Sequence, residues 1–397
     1  MNQTMTPRIF ADCAAGMPTD PAVLQEMLPY FGAEYANPSS LYTEGVRAAR
    51  ALAQARERVA AQLGAHPDEI YFTSGATEAD NWVIRCADVG QGGIITSELE
   101  HPAVAQACRI RAAAGTRVTY VDVLASGRIS IPSLQDALAR GGQGALVTLM
   151  YANHETGVLQ PLKEAIALTR AHGGLLFCDA VQAVATQSID VHALGVDFLA
   201  ISGHKLGAPR GIGALYVRRG VSLSPLLHGG GQERGGRSGT ESVALAVALA
   251  KSLELCAQRR EQNEALRALS LRLLRGLREI PGVLVNGWEN TAHQLPGTVN
   301  VCVDCIGGGA LVLWLDRHGV CVSAGSACSS AGNHPSRVLL AMGREESQAM
   351  SAVRISICAQ NTTDQVDQIV RIMCEGVRVL RSLDIVGSVK YGENGTK

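Results

Sequence analysis

The chain has 397 residues, of which 47% are hydrophobic, and a formal net charge of -1. This length and composition can bury a sizeable core and suffice for two or three structural units. The balanced charge provides no basic surface for nucleic acid, so we expect no nucleic-acid partner.

No membrane span or secretion signal is expected. The longest apolar runs, such as residues 243–250, are far shorter than the ~20 residues that a membrane-crossing helix needs. The start, Met-Asn-Gln-Thr-Met-Thr-Pro, lacks the basic-then-apolar pattern of a signal peptide. Eleven cysteines in such a chain indicate reduced thiols and a cytoplasmic location.

The first half of the chain has the pattern of an α/β protein. Residues 44–63 are rich in Ala, Arg and Glu and predict a helix. Residues 65–220 then alternate short apolar runs with Gly-rich turns and helical stretches, which is typical of a mainly parallel sheet wrapped by helices. Strands are expected at residues 70–73, 94–96, 146–151, 175–178, 198–202 and 213–217.

The second half predicts a smaller α+β domain. Residues 253–280 carry Leu at helical spacing with many Arg and Glu, and predict a long helical connector into a second domain. Strands are then expected at residues 283–285, 298–303, 320–322 and 353–357. We therefore expect a large domain over residues 15–258 and a small domain formed by residues 1–14 with 259–397.

Polar side chains follow the carboxyl ends of five predicted strands, where open α/β sheets bind their ligands. They are Thr77, His101, Asn153, Asp179 with Gln182, and Ser202 with His204 and Lys205. Each of these residues alone could be a helix cap or a turn residue. Their convergence on one edge of a sheet indicates a binding site.

Lys205 and Asp179 end consecutive predicted strands and together suggest pyridoxal 5'-phosphate (PLP). A lysine can bind the cofactor aldehyde covalently, and an aspartate can keep the pyridine nitrogen protonated so that the ring accepts electrons. The Gly turn before Thr77 opens a helix, whose free N–H groups would hold the phosphate.

Cys328 is the candidate nucleophile, because it lies among small residues that leave a thiol unshielded. A PLP site with an exposed thiol suggests sulfur transfer. Since only a thiolate is nucleophilic, a neighbouring base or positive charge is needed. His101 is the candidate, with Lys205 once it is released.

A metal- or cluster-binding protein is the alternative from another class, because Cys302, Cys305, Cys321 and Cys328 superficially resemble a four-thiolate site. Residues three apart in a strand face opposite sides, which argues against this site, and we expect no metal. A non-catalytic relative would have no reason to keep both Lys205 and Cys328.

Over nearly its whole length the chain resembles the cysteine desulfurases of the NifS/IscS kind, which are fold-type I PLP enzymes. The matching stretches are residues 35–40, 73–78, 100–102, 151–157, 179–183, 202–205, 229–234, 237–241 and 325–328. The resemblance implies an α/β fold with a seven-stranded, mainly parallel sheet in the large domain, and a homodimer.

The resemblance also implies roles for individual residues. Lys205 would bind PLP, with His101 stacked on the ring, Asp179 at its nitrogen, and Gln182 and Asn153 near its hydroxyl. The phosphate contacts would come from Ala76, Thr77, Ser202, His204 and, across the dimer interface, Thr240. Arg354 and Asn153 would bind the substrate, because the guanidinium fork suits a carboxylate.

The implied reaction converts L-cysteine to L-alanine and leaves a persulfide on Cys328. A sulfur-acceptor or scaffold protein would then take the sulfur, for iron–sulfur cluster assembly or other sulfur trafficking. A selenocysteine lyase or cysteine β-lyase of the same fold is the alternative within enzymes.

The chain departs from the family pattern at four places, which are Cys13, Gly16, Tyr42 and the pair Cys358-Ala359. We expect the first two to affect substrate preference or activity if they border the substrate pocket. None of the four belongs to the residues that the resemblance assigns to the cofactor.

Overall fold

The computed structural model of the chain describes residues 8–141, 143–324 and 334–392, with side chains described as far as residue 383. Cys328 lies outside the described residues. The helices are α1 Pro21–Met27, α2 Thr43–Leu63, α3 Ala76–Cys86, α4 Pro102–Ala113, α5 Ile131–Ala139, α6 Leu162–Ala171, α7 Val191–Leu194, α8 Val243–Arg259, α9 Asn263–Arg278, α10 Gly308–Arg317, α11 Arg337–Ala341, α12 Glu346–Met350 and α13 Thr363–Gly392. The strands are β1 Ile9–Phe10, β2 Ile70–Thr73, β3 Ile94–Ser97, β4 Val118–Val121, β5 Leu146–Thr148, β6 Leu175–Asp179, β7 Phe198–Ser202, β8 Gly213–Val217, β9 Val283–Asn286, β10 Thr298–Val303, β11 Val320–Cys321, β12 Ser323–Ala324 and β13 Val353–Ser356.

The large sheet has seven strands in the order β2-β8-β7-β6-β5-β3-β4. Strands β4, β3, β5, β6 and β7 pair in parallel, whereas β8 is antiparallel to both β7 and β2. The predicted α/β fold with a mainly parallel sheet is confirmed. Strand β4 was not predicted, because three of its four residues are not buried and it forms the sheet edge.

A second sheet holds four strands of the later half in the antiparallel order β12-β13-β10-β9. The helical connector predicted over residues 253–280 consists of two helices rather than one. A 3₁₀ turn at Arg260–Gln262 separates α8 from α9. Helix α8 packs on α2 and α9 packs on α13, so the chain changes direction between two cores.

The two sheets have separate apolar cores. Leu199, Val247 and their neighbours form the core beside the large sheet, and Leu273, Val301 and Ile355 belong to the second. The N-terminal residues Ile9 and Ala11 are buried in this second core, where β1 pairs with β11 in parallel. The domain boundaries expected from the sequence remain a prediction.

Across the described parts of the chain, every helix is too short or too polar to cross a membrane.

A buried ion pair fastens α2 to the large sheet. Arg56 of α2 donates two hydrogen bonds of 2.7 Å to the carboxylate of Glu233, whose side chain is only 2% exposed. The same carboxylate accepts the backbone N–H of Phe72 in β2, and Arg56 also donates to the Ile70 carbonyl. Removing either charge would leave the other buried without its partner.

We expect Arg56→Leu to lower the free energy of unfolding by about 3–5 kcal/mol, because Glu233 would keep a buried charge. Urea unfolding followed by circular dichroism measures this loss. Arg272→Leu is the matched control, since Arg272 forms an exposed pair with Asp367 and should cost much less. Equal losses in the two variants would contradict the assignment.

Candidate active site

A cavity of about 480 Å³ lies at the carboxyl ends of the parallel strands. Its walls include most of the site residues expected from the strand ends and from the family resemblance. These are Ala76, Thr77, His101, Asp179, Gln182, Ser202, His204, Lys205 and Arg354. They arrive from β2 with α3, from β3 with α4, from the ends of β6 and β7, and from β13 of the second sheet.

Lys205 ends the 3₁₀ turn Gly203–Lys205 that follows β7 directly. Its amine donates a hydrogen bond of 2.6 Å to the carbonyl oxygen of Ala14. The side-chain amide of Gln182 donates to the same carbonyl at 3.1 Å. The N-terminal segment therefore borders the site at the candidate cofactor lysine.

Asp179 is the last residue of β6 and is 6% exposed. Burial raises the pKa of its carboxyl to about 6, although the Val181 N–H and the charge of Lys205 favour the ionised form. An additional positive charge beside this carboxyl would favour its ionised form further. The protonated nitrogen of a pyridine ring would supply one.

The cavity is also lined by groups that can bind an anion. Helix α3 begins at Gly75 without a side-chain cap, which leaves the N–H groups of its first turn for a ligand. Ser202 and His204 are hydrogen bonded to each other at 2.9 Å and line the same cavity. An amine, a buried carboxylate and a phosphate cradle together match the chemical groups of PLP.

His101 is both a helix cap and a cavity residue. Its Nδ1 accepts the N–H of Ala103 at 3.2 Å, at the start of α4. Burial, together with the nearby charges of Lys205 and Arg337, lowers the pKa of His101 to about 4. A neutral ring that accepts through Nδ1 carries its proton on Nε2. Acting as a base through Nε2 would require that proton to move first.

Arg354 lies on β13, is 3% exposed and reaches the cavity from the second sheet. It donates 2.8 Å to the His154 carbonyl, 2.9 Å to Asp12 and 3.3 Å to the Ser323 hydroxyl. Its Nε is buried without a hydrogen-bond partner among the described residues. A substrate carboxylate could therefore be bound here in competition with Asp12.

Two predicted site residues do not line this cavity. The amide of Asn153 is fully engaged in a buried turn, where it donates to the Leu99 carbonyl and accepts from Glu155 and Thr156. Thr240 is exposed and does not belong to the cavity wall. Their assigned contacts, and the role of Cys328, remain predictions.

Sequence reasoning missed a set of buried acids around the cavity. Asp80 of α3 lines it, and both of its carboxyl oxygens are buried with no hydrogen-bond partner among the described residues. Burial, with the charges of Asp179 and Glu100, raises the pKa of Asp80 well above its usual range. Burial likewise raises the pKa of Glu100 to about 8. The sequence did contain one signal for this set, because Asp80 is an acidic residue on the apolar face of the helix predicted after the Gly turn.

Two of the departures from the family pattern meet beside the site. The side chains of Cys13 and Cys358 interact, and this interaction raises the pKa of Cys13 and lowers that of Cys358 to about 6. Both line a smaller cavity that also contacts Lys205. Gly16 lies against His204, because a Cβ on Gly16 would be 3.6 Å from the imidazole Cδ2. Tyr42 is exposed.

A mainly parallel sheet with a lysine and an aspartate at neighbouring strand ends is the arrangement of the fold-type I PLP-dependent enzymes. Residues 9–369 match the aminotransferase class-V family. The chain is 39% identical to a cysteine desulfurase IscS of Clostridium botulinum over 385 residues, which are 96% of each chain. The protein therefore belongs to the class-V aminotransferase family and, within it, to the cysteine desulfurases.

Solved structures give the same result. A NifS-like protein superposes with a TM-score of 0.85 at 32% identity, covering 94% of this chain and 100% of that one. SspA in complex with cysteine superposes with a TM-score of 0.77 at 34% identity, covering 89% and 100%. The fold and family expected from the sequence are confirmed.

Gly213 offers a test of the phosphate cradle. A Cβ at this position would lie 2.6 Å from the Ile201 carbonyl and 2.8 Å from the backbone of Gly75. We expect Gly213→Ala to cost about 1–3 kcal/mol of stability and to weaken PLP binding, because the start of α3 must shift. Thermal unfolding and a spectroscopic cofactor titration measure the two effects.

Gly32→Ala is the control, since a Cβ there would meet nothing within 4 Å. Unchanged PLP affinity in Gly213→Ala would show that the turn at Gly75 does not hold the phosphate.

Proposed function

We propose that this protein converts L-cysteine to L-alanine with PLP as its cofactor and collects the sulfur as a persulfide on Cys328. The observation that carries the proposal is one cavity that unites the Lys205 amine, the Asp179 carboxylate and the Arg354 guanidinium. Its relatives named as cysteine desulfurases support the substrate and the reaction.

The residues of the cavity divide between cofactor and substrate. Lys205 would bind the cofactor covalently, His101 would lie against its ring, and Asp179 would face its nitrogen. The first turn of α3 would hold the phosphate with Ser202 and His204. PLP, when bound, supplies an electron sink for the negative charge that forms on the substrate α-carbon.

Arg354 would orient the substrate through its carboxylate. Asp12 and Ser323 hold the guanidinium from one side, and the His154 carbonyl holds it from another. Arg354 is only 3% exposed, so little water competes for its guanidinium. A carboxylate bound here would make a charge-assisted hydrogen bond. The substrate α-carbon and sulfur would then project toward Lys205.

The described ends of the segment that carries Cys328 both contact residues of the site. Ser323 on β12 donates to Asp12 at 2.8 Å and lies 3.3 Å from Arg354. At the other end, Arg337 donates to the Glu100 carbonyl at 2.6 Å, next to His101. Cys328 lies between these two points in the sequence, which supports its assignment as the sulfur acceptor.

The proposed sulfur step joins two sulfur atoms. The Cys328 thiolate would attack the substrate sulfur, forming the S–S bond while the carbon–sulfur bond breaks, and protonation of the remaining three-carbon product would give alanine. An acceptor or scaffold protein would then remove the outer sulfur.

The proposal includes a homodimer, in which the exposed Thr240 contacts the partner's phosphate site.

A single-turnover reaction of the PLP-loaded protein with L-cysteine tests the proposal. We expect alanine together with a mass increase of one sulfur on the Cys328 peptide. Cys328→Ser should abolish both signals, because no thiolate remains to accept the sulfur. Cys374→Ser is the matched control, since Cys374 is an exposed thiol of α13.

The other outcomes separate the alternatives. Alanine from the Cys328→Ser variant would reject Cys328 as the acceptor, and pyruvate with free sulfide would indicate a β-lyase. Activity with selenocysteine and none with cysteine would indicate a selenocysteine lyase.

We expect Arg354→Lys to raise the KM for L-cysteine by about 10- to 100-fold, because a charged hydrogen bond to the carboxylate is lost. Steady-state kinetics gives this value, and PLP absorbance should stay at the wild-type level. A KM that is unchanged for cysteine, with cofactor bound, would remove Arg354 from the substrate site.

A further inference from the structure

Three metal-ligating side chains lie together at the edge of the large sheet opposite the cavity. They are His66, Glu69 and His192, and one ligand atom of each lies within 4.8 Å of the others. His66 and Glu69 precede β2, and His192 belongs to α7, which precedes β7. Strands β2 and β7 run in the same direction, since both are antiparallel to β8. The cluster is therefore at their amino ends, and the cavity is at their carboxyl ends.

Glu69 is held in place by groups outside the cluster. It is 2% exposed, and its two carboxyl oxygens accept the backbone N–H groups of Arg219 and His66, each at 2.9 Å. Contacts of this kind orient the ligands of metal sites. The carboxylate also contacts His192 Nε2 at 2.8 Å, so these two ligand atoms already face each other.

The local charges favour a cation. The guanidinium of Arg219 is paired with Asp68 through hydrogen bonds of 2.7 and 2.6 Å, and Arg219 bonds to Glu69 through its backbone N–H. The two imidazoles are exposed, with ring centroids 5.1 Å apart, and leave the site open to solvent on one side. A metal could enter from that side and keep a water ligand.

Tyr216 provides an independent sign that a polar partner is absent from this place. It is fully buried, and its hydroxyl has no hydrogen-bond partner among the described residues. Its ring lies edge-on to His192, with centroids 6.3 Å apart. The unsatisfied hydroxyl therefore belongs to a buried side chain in direct contact with one of the three clustered residues.

We propose that His66, Glu69 and His192 form a binding site for Zn²⁺, separate from the sulfur chemistry. Two neutral imidazoles and a carboxylate are a common zinc ligand set, with a fourth position for water. The bound metal would join the turn before β2 to α7. It would replace the hydrogen bond between Glu69 and His192 with two metal–ligand bonds.

The test uses the untagged, PLP-loaded protein after treatment with a chelator. Isothermal titration with ZnCl₂ should give one strong site per chain. His192→Ala and His66→Ala should each weaken binding at least about 10-fold, since even loss of a ligand's supporting contact has an effect of that size. His318→Ala is the matched control, because His318 is an exposed histidine that stacks on Trp314.

Replacing Zn²⁺ with Co²⁺ distinguishes metal bound by His66, Glu69 and His192 from metal bound by cysteine thiolates. Binding by His and Glu should give visible bands that disappear in His192→Ala, without a thiolate charge-transfer band. Wild-type affinity in both histidine variants, or a thiolate band that persists in them, would overturn the proposal. Cofactor absorbance and alanine formation should be unchanged in these variants, so the result is independent of the proposed desulfurase activity.

Discussion

The parallel register between β6 and β7 is the constraint on which the site depends. Cys178 lies opposite Leu199 and Asp179 opposite Ala200, so the two strands end at the same edge of the sheet. Asp179 and the turn that carries Lys205 consequently face one cavity. A shift of one residue would turn Asp179 to the other face of the sheet. Because both strands are buried on both faces, such a shift would also force each side chain into packing that fits a different one.

The N-terminal segment links this cavity to the second sheet. Strand β1 pairs with β11, and the N–H of Cys13 donates to the Ser356 carbonyl at 2.9 Å. One residue further on, the Ala14 carbonyl accepts from Lys205, while Asp12 contacts Arg354. The same short stretch thus contacts the proposed cofactor lysine and the proposed substrate arginine. The departures at Cys13 and Gly16 therefore lie in the same stretch as the contacts to these two proposed site residues.

Desolvation shifts the pKa values of the acids and histidines around the cavity toward their neutral forms. Burial raises the pKa of Asp179 and Glu100, and it lowers the pKa of His101 and His154. Ionisation of these groups is therefore costly until a partner of opposite charge arrives. A ligand with a cationic ring and an anionic phosphate would supply such partners at the two sides of the cavity. The zinc site proposed at the opposite edge differs, because its histidines are exposed and its one buried group is held by backbone N–H groups.

The sequence by itself determined the elements with strong local patterns. The predicted bounds of β2, β7, β8 and β10 agree with the structure, since short apolar runs between turn residues specify buried strands. The polar residues at strand ends were also found, because parallel strands bring their carboxyl ends to one edge whatever the details of packing.

Only the tertiary structure decided contacts between distant parts of the chain. The break between α8 and α9 follows from packing on two cores, and the amide of Asn153 donates to the carbonyl of Leu99, which lies 54 residues earlier. Glu69 and His192 are 123 residues apart, and Arg354 and Asp12 are 342 apart. Local propensity acts over a few residues, whereas these contacts depend on how whole strands and helices pack, which no motif in the sequence describes.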